Sequence, residues 1–161
     1  LLNPCQLTYQ VMGLADPKLL DAVSRTIVRQ GRKRAMVVHA DNGMDEVSPA
    51  SYTTVYDIKG QSIDTYDIHP SDAGLKPVPV ESIKGGDARY NAGIMNDIVN
   101  GRPGPYRDAA VLNAAAALVT AGRGRDMKEA AQIAMESLDS GKTRVVLQNM
   151  ISYSRDQVLV C

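Results

Sequence analysis
Apolar and polar positions divide the chain into short extended runs in its first half and helical stripes in its second. Leu7 to Met12 reads as a short strand that stops at Gly13. Asp16 followed by Pro17 starts a helix, because the Asp side chain accepts orphan amide hydrogens and Pro needs no donor in a first turn. Leu19, Leu20, Val23, Ile27 and Val28 recur at helical spacing as far as Gly31, the expected C-cap. Ala35 to Val38 is an apolar run too brief for a helix. It opens at once into a polar loop carrying Asp41, Asn42, Gly43, Asp45 and Glu46, closed by Ser48 and Pro49, so a buried strand is expected to run into an acidic loop. Thr53 to Ile58 and Ser62 to Ile68 are rich in β-branched residues and Tyr and are separated by Lys59 and Gly60; they predict an antiparallel hairpin with one solvated face.

Helical spacing then takes over. Lys76 to Val80 holds two prolines and reads as extended. Asp87 is expected to cap a helix over Ala88 to Asn100, with Ala92, Met95, Ile98 and Val99 on one face and Gly101 as its stop. Arg102 to Tyr106 is a Pro and Gly linker. Arg107 to Ala121, RDAAVLNAAAALVTA, is apolar nearly all round and predicts a helix buried between layers, with Ala114 to Ala117 allowing close approach. Asp126 caps a further helix with the stripe Met127, Ala130, Ala131, Ala134 and Leu138, interrupted at Asp139 to Gly141. A last helix is expected to turn Val146, Leu147, Met150 and Ile151 inward, and the methionines read as core filler. Nothing repeats and no linker divides the chain, so one α/β domain is the economical architecture.

Composition narrows the function classes. At 161 residues and 17.3 kDa the chain is long enough to bury a sizeable core. Eighteen basic and eighteen acidic residues cancel to a net charge of zero, which provides no electrostatic footprint for nucleic acid or an anionic membrane. No apolar run approaches the length of a membrane span, and no signal peptide is recognisable. Phe and Trp are absent, so the core must be built from Val, Leu, Ile, Met and Ala. Cys5 and Cys161 lie near opposite ends without metal-ligand spacing and are expected to be reduced thiols in a cytoplasmic protein. Leu1 opens the chain within a loop-like LLNP and without an initiator Met, as in a fragment or a processed product.

The candidate chemistry centres on Asp45 and Glu46. Ligands of open α/β sheets bind beyond the carboxyl ends of the strands, and an adjacent pair of carboxylates suits Mg2+ shared with substrate phosphates. Neighbouring acids on surface loops are common, and the pair by itself is a weak signal. His39, at the strand end, reads as a satisfied histidine, and His69, beside Pro70, as a surface residue, with Ser71 and Asp72 available to cap a short turn. Gly85, Gly86 and Asp87 could cradle a phosphate at a helix start, although a flexible Gly pair before an Asp cap is the simpler reading. Arg29, Arg32, Lys33 and Arg34 form either a phosphate patch or, more simply, a set of cations opposing the negative end of the preceding helix.

Five blocks, LLNP at Leu1 to Pro4, VVHADNGMDEVSP at Val37 to Pro49, GGDARYNAG at Gly85 to Gly93, GPYRDAAVLNAAAAL at Gly104 to Leu118 and SLDSGKT at Ser137 to Thr143, occur in the order and spacing of anthranilate phosphoribosyltransferases. The chain resembles the carboxyl-terminal part of that family's α/β domain, over all but Gln157 to Cys161. The resemblance implies a mainly parallel sheet with flanking helices, in the large domain shared with nucleoside phosphorylases, with the amino-terminal helical domain and the first part of the sheet absent. It implies transfer of phosphoribosyl from phosphoribosyl diphosphate (PRPP) to anthranilate in tryptophan biosynthesis, a homodimeric complete enzyme, and Mg2+ held by Asp45 and Glu46. The family's glycine-rich diphosphate loop, its lysine-containing loop and its anthranilate-binding arginine precede LLNP, so the isolated chain is expected to be inactive and to self-associate or require a companion half. Ala40 stands where the family has glycine. A pyrimidine nucleoside phosphorylase of the same fold and a non-catalytic nucleic-acid-binding homologue are the alternatives at this point.

Overall fold
The computed structural model describes residues 5–158; the LLNP block and Cys161 lie outside them. In chain order, β1 (Tyr9–Gly13) passes through a 3-10 turn into α1 (Leu20–Arg29). β2 (Arg34–Ala40), β3 (Thr53–Lys59) and β4 (Ser62–Ile68) follow, then α2 (Ala88–Val99), α3 (Pro105–Thr120), α4 (Met127–Asp139) and α5 (Lys142–Val158). The anticipated strands and helices are all present. The short turn expected at Ser71 and Asp72 is the 3-10 turn Pro70–Ala73, with His69 as its N-cap; the 3-10 turn Val80–Ile83 was not anticipated, because a single short turn leaves no periodicity to read.

The α/β class holds, while the sheet among the described residues is mixed rather than mainly parallel. Its order is β1-β2-β3-β4, with β1 parallel to β2 and the other two pairs antiparallel. Parallel pairing needs a crossover element, which α1 supplies between β1 and β2. β2 and β3 are joined without a helix, and β3 and β4 turn at Gly60, whose φ of 60° suits glycine; both connections return the chain antiparallel.

β2 is central and buried on both faces. Met36 and Val38 face α3 and α4 in a core with Val55, Ile68, Val111, Leu112, Ala115, Ala116, Ala130 and Ala131. Ala35 and Val37 face α1 on the other side, with Leu20, Ile27 and Ile58. This period-2 alternation converts one continuous apolar run into two cores. The alanines allow α3 and α4 to pack closely, as their sequence implied: Ala115, Ala116, Ala130 and Ala131 are wholly buried.

Three packing expectations are corrected. α3 is not enclosed all round, since Ala114 and Ala117 are exposed and line an open apolar groove of about 510 Å³ with Ile98, Leu118 and Ile133. α2 buries Val99 but leaves Met95 51% exposed. α5 leaves Val146 57% and Met150 63% exposed; among its described side chains only Thr143 and Leu147 are partly buried.

The basic cluster resolves into separate contacts. Only Arg29 lies in the last turn of α1. Arg32 is buried and its Nε donates to the Gln10 side chain at 3.2 Å, while Lys33 lies 5.9 Å from the Tyr9 ring centre. Arg34 forms a two-point pair with Asp57, at 3.2 and 3.0 Å, and donates to the Val119 carbonyl at 2.8 Å, tying the sheet to the end of α3. Asp57, with a side chain only 2% exposed, also takes Lys59 at 3.2 Å and the Tyr66 hydroxyl at 3.4 Å. Burial, then the Asp57 charge, pushes the Tyr66 phenol up to about 12.

Removing one partner of a buried charge network strands the others, so Asp57→Ala is expected to cost about 3 kcal/mol in urea unfolding. The exposed Asp21–Arg25 pair is the comparison: Asp21→Ala should leave the urea midpoint almost unmoved, because solvent screens that pair. Folded Tyr66 keeps its proton after unfolded tyrosine has lost it near 10, so the unfolded state binds fewer protons between pH 10 and 12 and stability falls there. Tyr66→Phe should remove that part of the alkaline loss, measured by denaturant unfolding across the same range.

Candidate functional site
The acidic loop rises where the parallel strands end. Leu14 N–H donates to the Val38 carbonyl at 2.9 Å, carrying the β1–β2 pairing past Gly13. Beyond Ala40 the chain turns on Gly43, with φ of 86°: Gly43 N–H donates to the Ala40 carbonyl at 2.8 Å, and Ala40 N–H to the Met44 carbonyl at 3.0 Å. Ala40 itself is a buried strand residue, and no non-glycine residue among those described has positive φ, so alanine is accommodated there without strain.

Side chains then hold the loop from several directions. Asn42 donates to the Ser48 hydroxyl at 2.9 Å, and the Ser48 hydroxyl accepts from Ala50 N–H at 3.1 Å. Ser48 N–H donates to the Thr53 hydroxyl at 2.9 Å. From α3, Asn113 accepts from Val47 N–H and donates to the Val47 carbonyl, both at 3.0 Å. At the end of β1, Gly13 lies so close that a Cβ there would collide with the Asp45 carbonyl.

The backbone of Asp45 and Glu46 is therefore pinned, while both side chains are exposed and make no hydrogen bond or ion pair among the described residues. Two unengaged carboxylates on a fixed backbone fit Mg2+, which takes oxygen donors and keeps several sites for water and phosphate. No group of three or more His, Cys, Asp or Glu side chains among the described residues could build an all-protein cage. The donor set suits an ion shared with a phosphorylated ligand.

The other candidates have structural partners. His39 Nδ1 donates to the Leu14 carbonyl at 2.8 Å, which makes it the satisfied histidine expected. His69 is the cap of the Pro70–Ala73 turn rather than a bystander: its Nδ1 accepts from Ser71 N–H at 3.4 Å, its backbone N–H donates to Asp72 at 2.8 Å, and its ring packs at a 39° tilt against Tyr52, centroids 4.7 Å apart. Asp87 accepts from Tyr90 N–H at 2.8 Å and caps α2. Gly86 N–H and carbonyl are both taken by the Asn91 side chain at 2.9 Å, so that amide is engaged rather than turned to an anion. A groove of about 490 Å³ between α2 and the start of α3 is lined by Arg89, Arg102 and Arg107, but none of its lining residues belongs to the acidic loop. Arg102 there pairs with Asp97 at 2.8 Å and Arg107 with Asp139 at 2.7 Å. Cys5 is exposed, and no helix among the described residues is long and apolar enough to cross a membrane.

With this geometry in place, comparison with known proteins is decisive for the family. The model of the glycosyl transferase family a/b domain matches residues 1–144. The chain belongs to that family. Within it, the chain is similar to the anthranilate phosphoribosyltransferase of Syntrophomonas wolfei, at 48% identity over 161 residues, covering 100% of this chain and 47% of that protein. Among solved structures, anthranilate phosphoribosyltransferase from Thermus thermophilus superposes with a TM-score of 0.86 at 30% identity, covering 95% of this chain and 45% of that one. The Saccharomyces cerevisiae enzyme in complex with PRPP and Mg shares the fold, with a TM-score of 0.84 at 24% identity, covering 94% of this chain and 44% of that one. The chain spans about half the length of the curated relatives it matches.

Reading the sequence placed Asn42 in the acidic loop of this family member but missed Gly13 and Asn113 as its supports. Gly13 offers no signal beyond ending a strand. Asn113 does offer one, as the lone amide within an otherwise apolar helical run. Because a side chain at Gly13 must displace the Asp45 backbone, Gly13→Ala is expected to destabilise the fold by about 1–3 kcal/mol. Gly93→Ala, in α2 with open space around it, should instead stabilise by about 0.5–1 kcal/mol. Thermal and urea unfolding of the two variants checks both signs.

Proposed function
We propose that the chain is the carboxyl-terminal part of the α/β domain of an anthranilate phosphoribosyltransferase, with Asp45 and Glu46 as its Mg2+ ligands. The complete enzyme, read as a cytoplasmic homodimer, transfers phosphoribosyl from PRPP to anthranilate in tryptophan biosynthesis and releases pyrophosphate. One observation carries the assignment of the pair: two unengaged carboxylates stand on a pinned backbone at the carboxyl ends of parallel strands. The likeness to anthranilate phosphoribosyltransferases over the whole chain supports the choice of substrates.

The chain's own contribution is placement of charge. Asp45 and Glu46 project oxygens from a backbone that does not have to reorganise as the reaction proceeds, the condition under which electrostatic stabilisation is strongest. Asp45 and Glu46 would hold Mg2+, which would supply positive charge where the departing diphosphate becomes more negative. Displacement at the anomeric carbon needs no covalent nucleophile from these residues. The parts that grip PRPP and anthranilate belong to the remainder of the complete enzyme, so catalysis is a property of the whole.

The test is calorimetric titration of Mg2+ in the presence of pyrophosphate, comparing the chain with an Asp45→Ala, Glu46→Ala double variant. Binding is expected to weaken at least about tenfold on loss of both ligands, with unfolding free energy changed by no more than about 0.5 kcal/mol because both side chains are exposed. Equal affinity in the two proteins would overturn the metal assignment.

A further inference from the structure
α3 is apolar through Val111, Leu112 and Ala114 to Leu118, and Asn113 interrupts that run. Its amide is fully employed. Besides the two bonds to Val47, Nδ2 donates to the Ala109 carbonyl at 3.1 Å, which locks the side chain to its own helix. Val47 in turn is wholly buried in the core with Met36, Val38 and Leu112. Its N–H belongs to the same planar peptide as the Glu46 carbonyl, so the bond from Asn113 fixes the orientation of the Glu46–Val47 peptide. Gly13, at the end of β1, lies directly against the Asp45 carbonyl. The acidic pair is thus set between a helix amide and a strand end. Neither Asp45 nor Glu46 has a side-chain partner among the described residues that would orient it instead.

The geometry points to Asn113 as the positioning residue of the metal site: its clasp on Val47 sets the direction in which the two carboxylates leave the loop, so that both reach one ion. This rests on the reading of Asp45 and Glu46 as Mg2+ ligands. Groups that orient metal ligands in this indirect way characteristically change affinity by about 10- to 100-fold when removed.

The experiment titrates Mn2+, a paramagnetic stand-in with the same preference for oxygen donors, with pyrophosphate into the isotopically labelled chain, and follows broadening of the amide signals of residues 44–48. Amide exchange at Val47 is measured alongside. Asn113→Ala is the first variant; Asn113→Leu, which keeps the volume but not the amide, serves if the alanine form does not fold. Ile58→Val, in the core on the other face of the sheet, is the control for stability loss alone. Loss of the clasp is expected to speed Val47 exchange and to weaken Mn2+ binding about tenfold or more, with the control unchanged in both. Faster Val47 exchange with unchanged Mn2+ affinity overturns the proposal, as does equal weakening in Ile58→Val. Asp45→Ala with Glu46→Ala separates the two levels. If that double variant abolishes binding while the Asn113 variants do not, only the role of Asn113 falls; if it leaves binding intact, the metal reading falls and the role of Asn113 with it.

Discussion
Burial of β2 on both faces is the constraint from which the rest of the molecule follows. A strand with Ala35 and Val37 on one side and Met36 and Val38 on the other must be covered twice, by α1 and by the α3–α4 pair. Covering it fixes where its carboxyl end can emerge and which elements stand beside that end. β1 arrives in parallel because α1 makes the crossover, and α3 arrives because its small side chains let it lie close to the sheet.

The acidic loop exploits that arrangement. Past Ala40 the chain leaves the ladder, and the buried backbone groups of Val47 need partners that no neighbouring strand supplies. A helix amide, a serine hydroxyl and a threonine hydroxyl provide them or hold their neighbours. These bonds run through Asn42, Val47 and Ser48, and the exposed side chains of Asp45 and Glu46 take no part in them.

At the far end of β2 the same demand is met with charge. Arg34, Asp57, Lys59 and Tyr66 close the sheet against the end of α3 through a carboxylate that is almost wholly buried. Such a network is costly to break and makes a small contribution when complete, which suits a fastener more than a site. α3 is thus held to the sheet by Arg34 at its carboxyl end and to the acidic loop by Asn113 in its middle, and the loop inherits that fixity.

Much of this was legible in the chain itself. Period and punctuation place the helices and strands, because Asp16–Pro17, Asp87 and Asp126 act locally and each caps the turn that follows it. Asp45 and Glu46 were a weak signal by themselves, since neighbouring acids on surface loops are common, and gained weight only from the blocks of sequence around them. The β3–β4 hairpin was legible, but the directions in which β1 and β3 pair with β2, the open faces of α3 and α5, and the fates of Arg34 and His69 were decided only by the tertiary structure. Each depends on a partner far along the chain, such as Asp57 for Arg34 or Tyr52 for the His69 ring, and local patterns carry no record of such partners. Asn113 lies between the two cases: the sequence determined that an amide would interrupt an apolar helix, and folding decided that Val47, separated from it along the chain by β3, β4 and α2, would be what it holds.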